Sequence, residues 1–255
     1  MKAMVFAAGL GTRLRPLTND RPKALVAIAG QPMLQRVILR LKAAGVDEMV
    51  VNVHHFGDKV IDFLEQNQYF GLTIHISDER QWSEQPLETG GGILKARQWL
   101  EGDEPFIVHN ADILTDMDLA AFYRYHCERQ ALASLLVKER ETQRYILFDD
   151  DERLHGWINI ATGETKPVGA TRDLHALHRR AFGGVHVISP IIFPLLERFA
   201  ADRQAFGIIP FYIDACQTSP IYGYQPQETY TWFDIGKPET LHAAEAFYLS
   251  GMGLK

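Results

Sequence analysis

The chain has 255 residues, 46% hydrophobic and 23% charged, an ordinary balance for a folded protein with a sizeable core. No apolar run reaches the roughly 18–20 residues of a membrane span, and a formal net charge of −6 argues against a general nucleic-acid surface. Cys127 and Cys216 are too few for a disulfide framework or a zinc site, and Arg13 and Arg15 come too early for a secretion signal, so a cytoplasmic protein is expected.

Lys2–Ala7 is a short apolar run that closes at Gly9 and reads as a buried strand entering a loop. Met33, Leu34, Val37, Ile38 and Leu41 form a helical stripe, predicting a helix over Gln31–Ala44 with Gly45 as its C-cap. A strand over Glu48–Val53, a helix over Asp58–Gln66 and a strand over Leu72–Ser77 follow. A glycine-rich turn then leads to a helix near Gly92–Leu100, a strand over Pro105–His109 and a helix over Asp118–Arg129. This alternation predicts a mostly parallel sheet with helices on both faces. The second half is less regular. Ala131–Val137, Arg144–Phe148, Arg153–Ile158 and Phe182–Ile188 read as strands, with a hairpin turn at Asp149–Asp151. Pro190–Ala201 and Pro238–Leu249 read as helices with proline in the first turn. The polar stretch 139–181 is expected to be an insertion over one end of the sheet. Residues 1–255 are taken as one domain with two halves, about 1–130 and about 131–255.

Directly after the first strand comes Ala7-Ala8-Gly9-Leu10-Gly11-Thr12-Arg13, and between Arg13 and Lys23 four cations face one anion, Asp20. Two glycines let backbone N–H groups approach an anion closely. A dinucleotide fingerprint fails, because Leu14 stands where the third glycine belongs and Pro16 and Pro22 break a helix. A Walker A loop fails for want of Gly-Lys-Ser/Thr. A plain tight turn beside a solvated basic surface is the competing reading.

Gly9-x-Gly11-Thr12-Arg13-x-x-Pro16-Leu17-Thr18, followed by Arg21-Pro22-Lys23 and Gly30-Gln31-Pro32-Met33-Leu34, resembles the signature of the sugar-phosphate nucleotidyltransferases. The likeness in motif order continues along almost the whole chain. It implies the nucleotide-diphospho-sugar transferase fold: α/β, a Rossmann-like three-layer sandwich with a mostly parallel sheet and a β-rich sugar-side insertion. It also implies the reaction of an NTP with a sugar 1-phosphate to give an NDP-sugar and pyrophosphate, with Mg²⁺ as cofactor.

The implied nucleotide site is Ala8, Gly9, Gly11, Thr12, Arg13, Lys23, Gln85 and Gly90, with Arg13 and Lys23 catalytic. Arg13 can fork onto β- and γ-phosphate oxygens, while Lys23 offers a compact charge to the α-phosphate or the attacking phosphate. Asp112, just past an apolar strand, and Asp234, in Thr229–Gly236, resemble the family's metal ligands. Nearby Asp118 is better placed as a helix N-cap. Asn110 and Gly184 match sugar-phosphate positions, and Lys166 does so more loosely. Two positions depart from the pattern. Ala24 replaces a common second proline, and Ala111 replaces the glycine of Asn-Gly-Asp although alanine does not readily adopt positive φ.

The Gln85 amide can match the O4/N3–H edge of a pyrimidine, and Pro86-Leu87-Glu88-Thr89-Gly90-Gly91-Gly92 most resembles short N-acetylmuramate 1-phosphate uridylyltransferases. UTP with N-acetylmuramic acid 1-phosphate, or a similar hexose 1-phosphate, is therefore expected. A GTP-dependent guanylyltransferase for mannose or heptose 1-phosphate is the alternative within the family. A catalytically silent regulator that binds nucleotide sugar is the alternative outside enzymology. The expected partners are these small molecules, with no nucleic acid or membrane, and the chain as monomer or homodimer.

Overall fold

A computed structural model describes residues 1–167 and 173–251. Strand β1 (Lys2–Phe6) occupies the middle of the sheet, as its fully buried Ala3, Met4 and Val5 require cover on both faces. The next ladder, β2 (Ala27–Ile28) with β3 (Gln31–Pro32), turns through Ala29 and Gly30, both at positive φ. That hairpin holds Gln31 in a strand, so α1 (Met33–Ala43) starts two residues after the Gln31 start expected from the sequence, at the first residue of the apolar stripe.

β4 (Glu48–Val53), α2 (Gly57–Gln66), β5 (Thr73–Asp78), α3 (Glu88–Lys95), α4 (Arg97–Leu100) and β6 (Phe106–Asn110) complete the first half. Within it β5, β4, β1 and β6 run side by side and parallel. β7 (Ile113–Thr115) and α5 (Leu119–Arg129) follow, and Asp118 caps α5 by accepting the Ala121 amide at 2.8 Å.

The second half contributes β8 (Ala133–Lys138), β9 (Arg144–Phe148), β10 (Leu154–Asn159), β11 (Glu164–Lys166) and β12 (His178–Ile188). Then come α6 (Ile192–Ala200), α7 (Ile208–Ala215), β13 (Ile221–Tyr224), β14 (Trp232–Asp234) and α8 (Pro238–Leu249). Long β12 pairs antiparallel with β6 and β8, while its first residues pair with β9. The two pairings are joined by an irregularity between Phe182 and His186, where Gly184 has φ 76°. The stretch 139–181 thus forms an antiparallel β9–β10–β11 extension of the sheet; its residues 168–172 lie outside the described residues.

Helices cover both faces. One apolar cluster gathers α1, α2, α5 and α8, for instance Leu34, Leu64, Phe122 and Leu241. The other gathers α3, α6 and α7, for instance Ile93, Phe193 and Phe211. This is the expected three-layer α/β sandwich with its parallel centre. Among the described residues, no helix is long and apolar enough to cross a membrane. Cys127 is exposed and Cys216 buried, and neither is in a disulfide.

Candidate active site

The carboxyl ends of β1, β4 and β6 open onto a cleft of about 220 Å³, the usual ligand position on a parallel sheet. Its wall is Phe6–Gly9, Lys23, Ala24, Asn52, Glu79, Pro86, Glu88, Thr89 and Asn110–Asp112. A buried polar chain supports this wall. The Ala7 amide donates to Asn52 Oδ1 at 2.8 Å, Asn52 Nδ2 to Glu79 Oε1 at 2.7 Å, and the Leu87 amide to Glu79 Oε2 at 2.9 Å. The loop after β1 is thereby tied through β4 to the segment before α3. Burial pushes the Glu79 carboxyl above its usual range, against the pull of its two donors. Asn52 and Glu79 escaped sequence reasoning because each is a lone polar residue at a strand end, with no motif of its own.

Gly11 precedes a short 3₁₀ turn, Thr12–Leu14, at φ 65°, and the Thr18 hydroxyl donates to its carbonyl at 2.8 Å. A Cβ there would stand 3.0 Å from both Lys23 Cβ and Thr18 Cγ2. Glycine is thus required by conformation and by space, and the loop closes against Lys23. The Lys23 ammonium, on a side chain only 12% exposed, donates to Asp112 Oδ2.

Asp112 and Asp234 come from distant parts of the chain. β14 pairs antiparallel with β7, setting Asp234 opposite Ile113, and the Ile235 amide donates to the Asp112 carbonyl at 2.9 Å. Burial raises the Asp234 pKa, the Asp112 charge raises it further, and Lys23, Arg13 and Arg140 oppose them. The Arg13 guanidinium lies over Gly236, where an added Cβ would be 2.9 Å from Nη2 and 3.0 Å from Asp234 Oδ1. Gly236, which sequence reasoning did not single out, is what leaves room for Arg13 beside Asp234. The nearby acids have structural tasks: Asp118 caps α5, and Asp116 accepts the Thr231 amide at 2.6 Å.

Ala111 lies outside the left-handed region and its amide donates to the Phe6 carbonyl at 3.1 Å, so alanine is accommodated without strain. Ala24 is buried in the apolar cluster around α1. Asn110 adjoins Gly184, where an added Cβ would be 3.2 Å from Asn110 Nδ2 and 2.6 Å from Ile113 Cγ1. Ala8 and Gly9 line the cleft; Thr12 is exposed on the 3₁₀ turn. Gln85 is exposed and outside the wall, its backbone N–H donating to Ser83 Oγ at 3.2 Å. Gly90 is buried, donating to the Phe206 carbonyl at 2.8 Å.

Among the described residues, no three His, Cys, Asp or Glu side chains converge as a closed metal site. Asp112 and Asp234 are a two-carboxylate donor set in which Lys23 already places positive charge on one member. Such a set fits a hard cation that completes its shell with phosphate oxygens and water.

A nucleotidyl transferase family model matches residues 2–251. A relative from Neisseria meningitidis, an N-acetylmuramate alpha-1-phosphate uridylyltransferase, is 43% identical over 247 residues, 96% of this chain and 97% of its own. Its counterpart in Caulobacter vibrioides is 36% identical over 259 residues, 96% of this chain and 95% of its own. Among solved structures, a UDP-glucose pyrophosphorylase from Acinetobacter baumanii superposes with a TM-score of 0.74 at 21% identity, covering 97% of this chain and 93% of that one.

Proposed function

The chain belongs to the nucleotidyl transferase family, and from that premise we propose that it joins UTP to N-acetylmuramic acid 1-phosphate, or a similar hexose 1-phosphate, with release of pyrophosphate. The observation that carries this reading is the meeting of Arg13, Lys23, Asp112 and Asp234 at one end of the parallel strands, beside the Gly9–Gly11 loop. Two polyanions must be brought together for this reaction, so positioning and charge neutralisation are the protein's main tasks.

In this reading Ala8, Gly9, Gly11 and Thr12 offer backbone N–H groups to the triphosphate. Arg13 forks onto the β- and γ-phosphates as the leaving group gains charge. Lys23 turns its ammonium from Asp112 toward the α-phosphate or the attacking oxygen. Asp112 and Asp234 would hold Mg²⁺, which when bound would supply charge neutralisation at the transferred group. Asn110 and the bulge at Gly184 receive the sugar phosphate. Gln85 reads the uracil edge, which requires its loop to fold over the cleft, while Gly90 holds the approach of that loop to Phe206. Residues about 1–130 serve as the nucleotide half and about 131–255 as the sugar half, an assignment supported by a cleft wall drawn wholly from residues up to Asp112. The work is cytoplasmic.

The test is pyrophosphate release from a matrix of the four common NTPs against several sugar 1-phosphates, repeated with D112N and D234N. UTP with N-acetylmuramic acid 1-phosphate should lead the matrix. Each variant should lose two orders of magnitude or more, roughly the several kcal/mol a bound metal contributes. Near-normal turnover in either variant removes the metal assignment, and a GTP-led matrix replaces uridylyl with guanylyl transfer.

A further inference from the structure

A second cavity, of about 420 Å³, lies between the β9–β11 extension and α7. Its wall carries three cations, Arg140, Arg144 and Lys166, set among apolar surfaces that include Trp157 and Phe182, and it contains no acid. Lys166 has Glu164 at 3.2 Å and the Trp157 ring at 5.6 Å. Neither Arg140 nor Arg144 forms an ion pair among the described residues. On a chain with net charge −6, three like charges gathered around an apolar hollow repel one another, and of the three only Lys166 has an ion-pair partner among the described residues, so Arg140 and Arg144 lack a paired counter-charge. An anionic ligand supplies one, and the volume suits a small molecule.

The cavity adjoins the reaction centre. Phe182 leads directly into Gly183–Gly184, whose bulge touches Asn110. Arg140 stands 5.5 Å from the ring of Trp232, in the strand that ends at Asp234, and the Trp232 indole donates to the Gly183 carbonyl at 2.9 Å. A sugar whose phosphate reaches Asn110 and Gly184 therefore has its ring or its substituents beside these arginines.

We propose that Arg140 and Arg144 receive a second anionic group on the acceptor sugar, a carboxylate on a short arm, and so select acidic over neutral sugar 1-phosphates. This deepens the transfer reading above and rests on it. Guanidinium groups match carboxylates in plane and in spacing, so the pair recognises charge and geometry together. N-Acetylmuramic acid 1-phosphate carries such an arm, the lactyl ether; N-acetylglucosamine 1-phosphate is the same sugar without it.

The experiment measures kcat/KM for both acceptors, with UTP and Mg²⁺, in the wild type, R140Q, R144Q, the double variant and R144K, with each protein's unfolding midpoint as a check on folding. The wild type should prefer the acidic acceptor by about 10- to 100-fold, the usual scale of a charge-assisted contact. The glutamine variants should lower that ratio, chiefly through the KM of the acidic acceptor, and R144K should restore part of it at an unchanged midpoint. Equal use of both acceptors by the wild type, or a ratio the glutamine variants leave intact, overturns the proposal while leaving transfer itself standing. Absence of turnover with either acceptor and any triphosphate overturns the transfer reading and the proposal together.

Discussion

Glu79 shows how much of this site rests on a residue with no signature of its own. It is 1% exposed, and both carboxylate oxygens accept hydrogen bonds from donors that have no other acceptor among the described residues. Glutamine at this position has only one acceptor oxygen, so E79Q sets an amide N–H₂ against Asn52 Nδ2 or the Leu87 amide. Flipping Asn52 moves the conflict to the Ala7 amide without removing it. The expected loss is about 1–3 kcal/mol in denaturant unfolding, the cost of one buried unsatisfied group. An unchanged midpoint would mean the chain Ala7–Asn52–Glu79–Leu87 does not hold the cleft wall. Arg13, Lys23 and Asp112 were legible because they sit within motifs beside an apolar strand. Asn52, Glu79 and Gly236 were not, since their roles arise only when strand ends distant in sequence meet.

At the scale of elements, α3 is the instructive case. Three successive glycines read as a flexible turn before a helix at Gly92, yet the helix begins at Glu88 and contains all three. Glycine is a poor helix former, so packing must compel it here. A Cβ on Gly90 would stand 2.8 Å from the Phe206 carbonyl oxygen and closer still to its ring, and one on Gly92 would be 3.0 Å from Glu79 Oε1. Alanine at position 90 gains roughly 1 kcal/mol in helix propensity but must displace backbone, which costs about 1–3 kcal/mol. G90A should therefore be less stable in thermal unfolding; a raised midpoint would show that the 204–206 segment yields freely. The helices α1, α2, α5 and α8 were readable from apolar stripes or terminal signals. The β7–β14 ribbon was not: each strand has three residues, too few for a periodic pattern, and their pairing spans more than a hundred residues of chain.

For the whole molecule, buried histidines should dominate the response to acid. Desolvation lowers His109 and His126 to about 4 and His186 to about 3, and His186 is hydrogen-bonded to the Tyr212 hydroxyl at 2.6 Å. Unfolded histidine titrates near about 6.5, so below that pH the unfolded chain binds protons the folded chain refuses. Stability present above about pH 6.5 is lost as pH falls toward these depressed values. Glu79 and Asp234, both raised, act in the opposite direction, while Asp78, lowered by its hydrogen bond with Arg80, acts with the histidines. The unfolding midpoint should decline steadily from pH 6.5 to 4, and a flat profile would show that the histidines are not buried as described. In the proposed reaction the sugar phosphate attacks the α-phosphorus of the nucleotide. This attack is tested most directly by supplying the acceptor with heavy oxygen in its phosphate and unlabelled UTP, then weighing the products. All label should appear in the nucleotide sugar and none in pyrophosphate; label in pyrophosphate, or free orthophosphate in place of a nucleotide sugar, would rule this attack out.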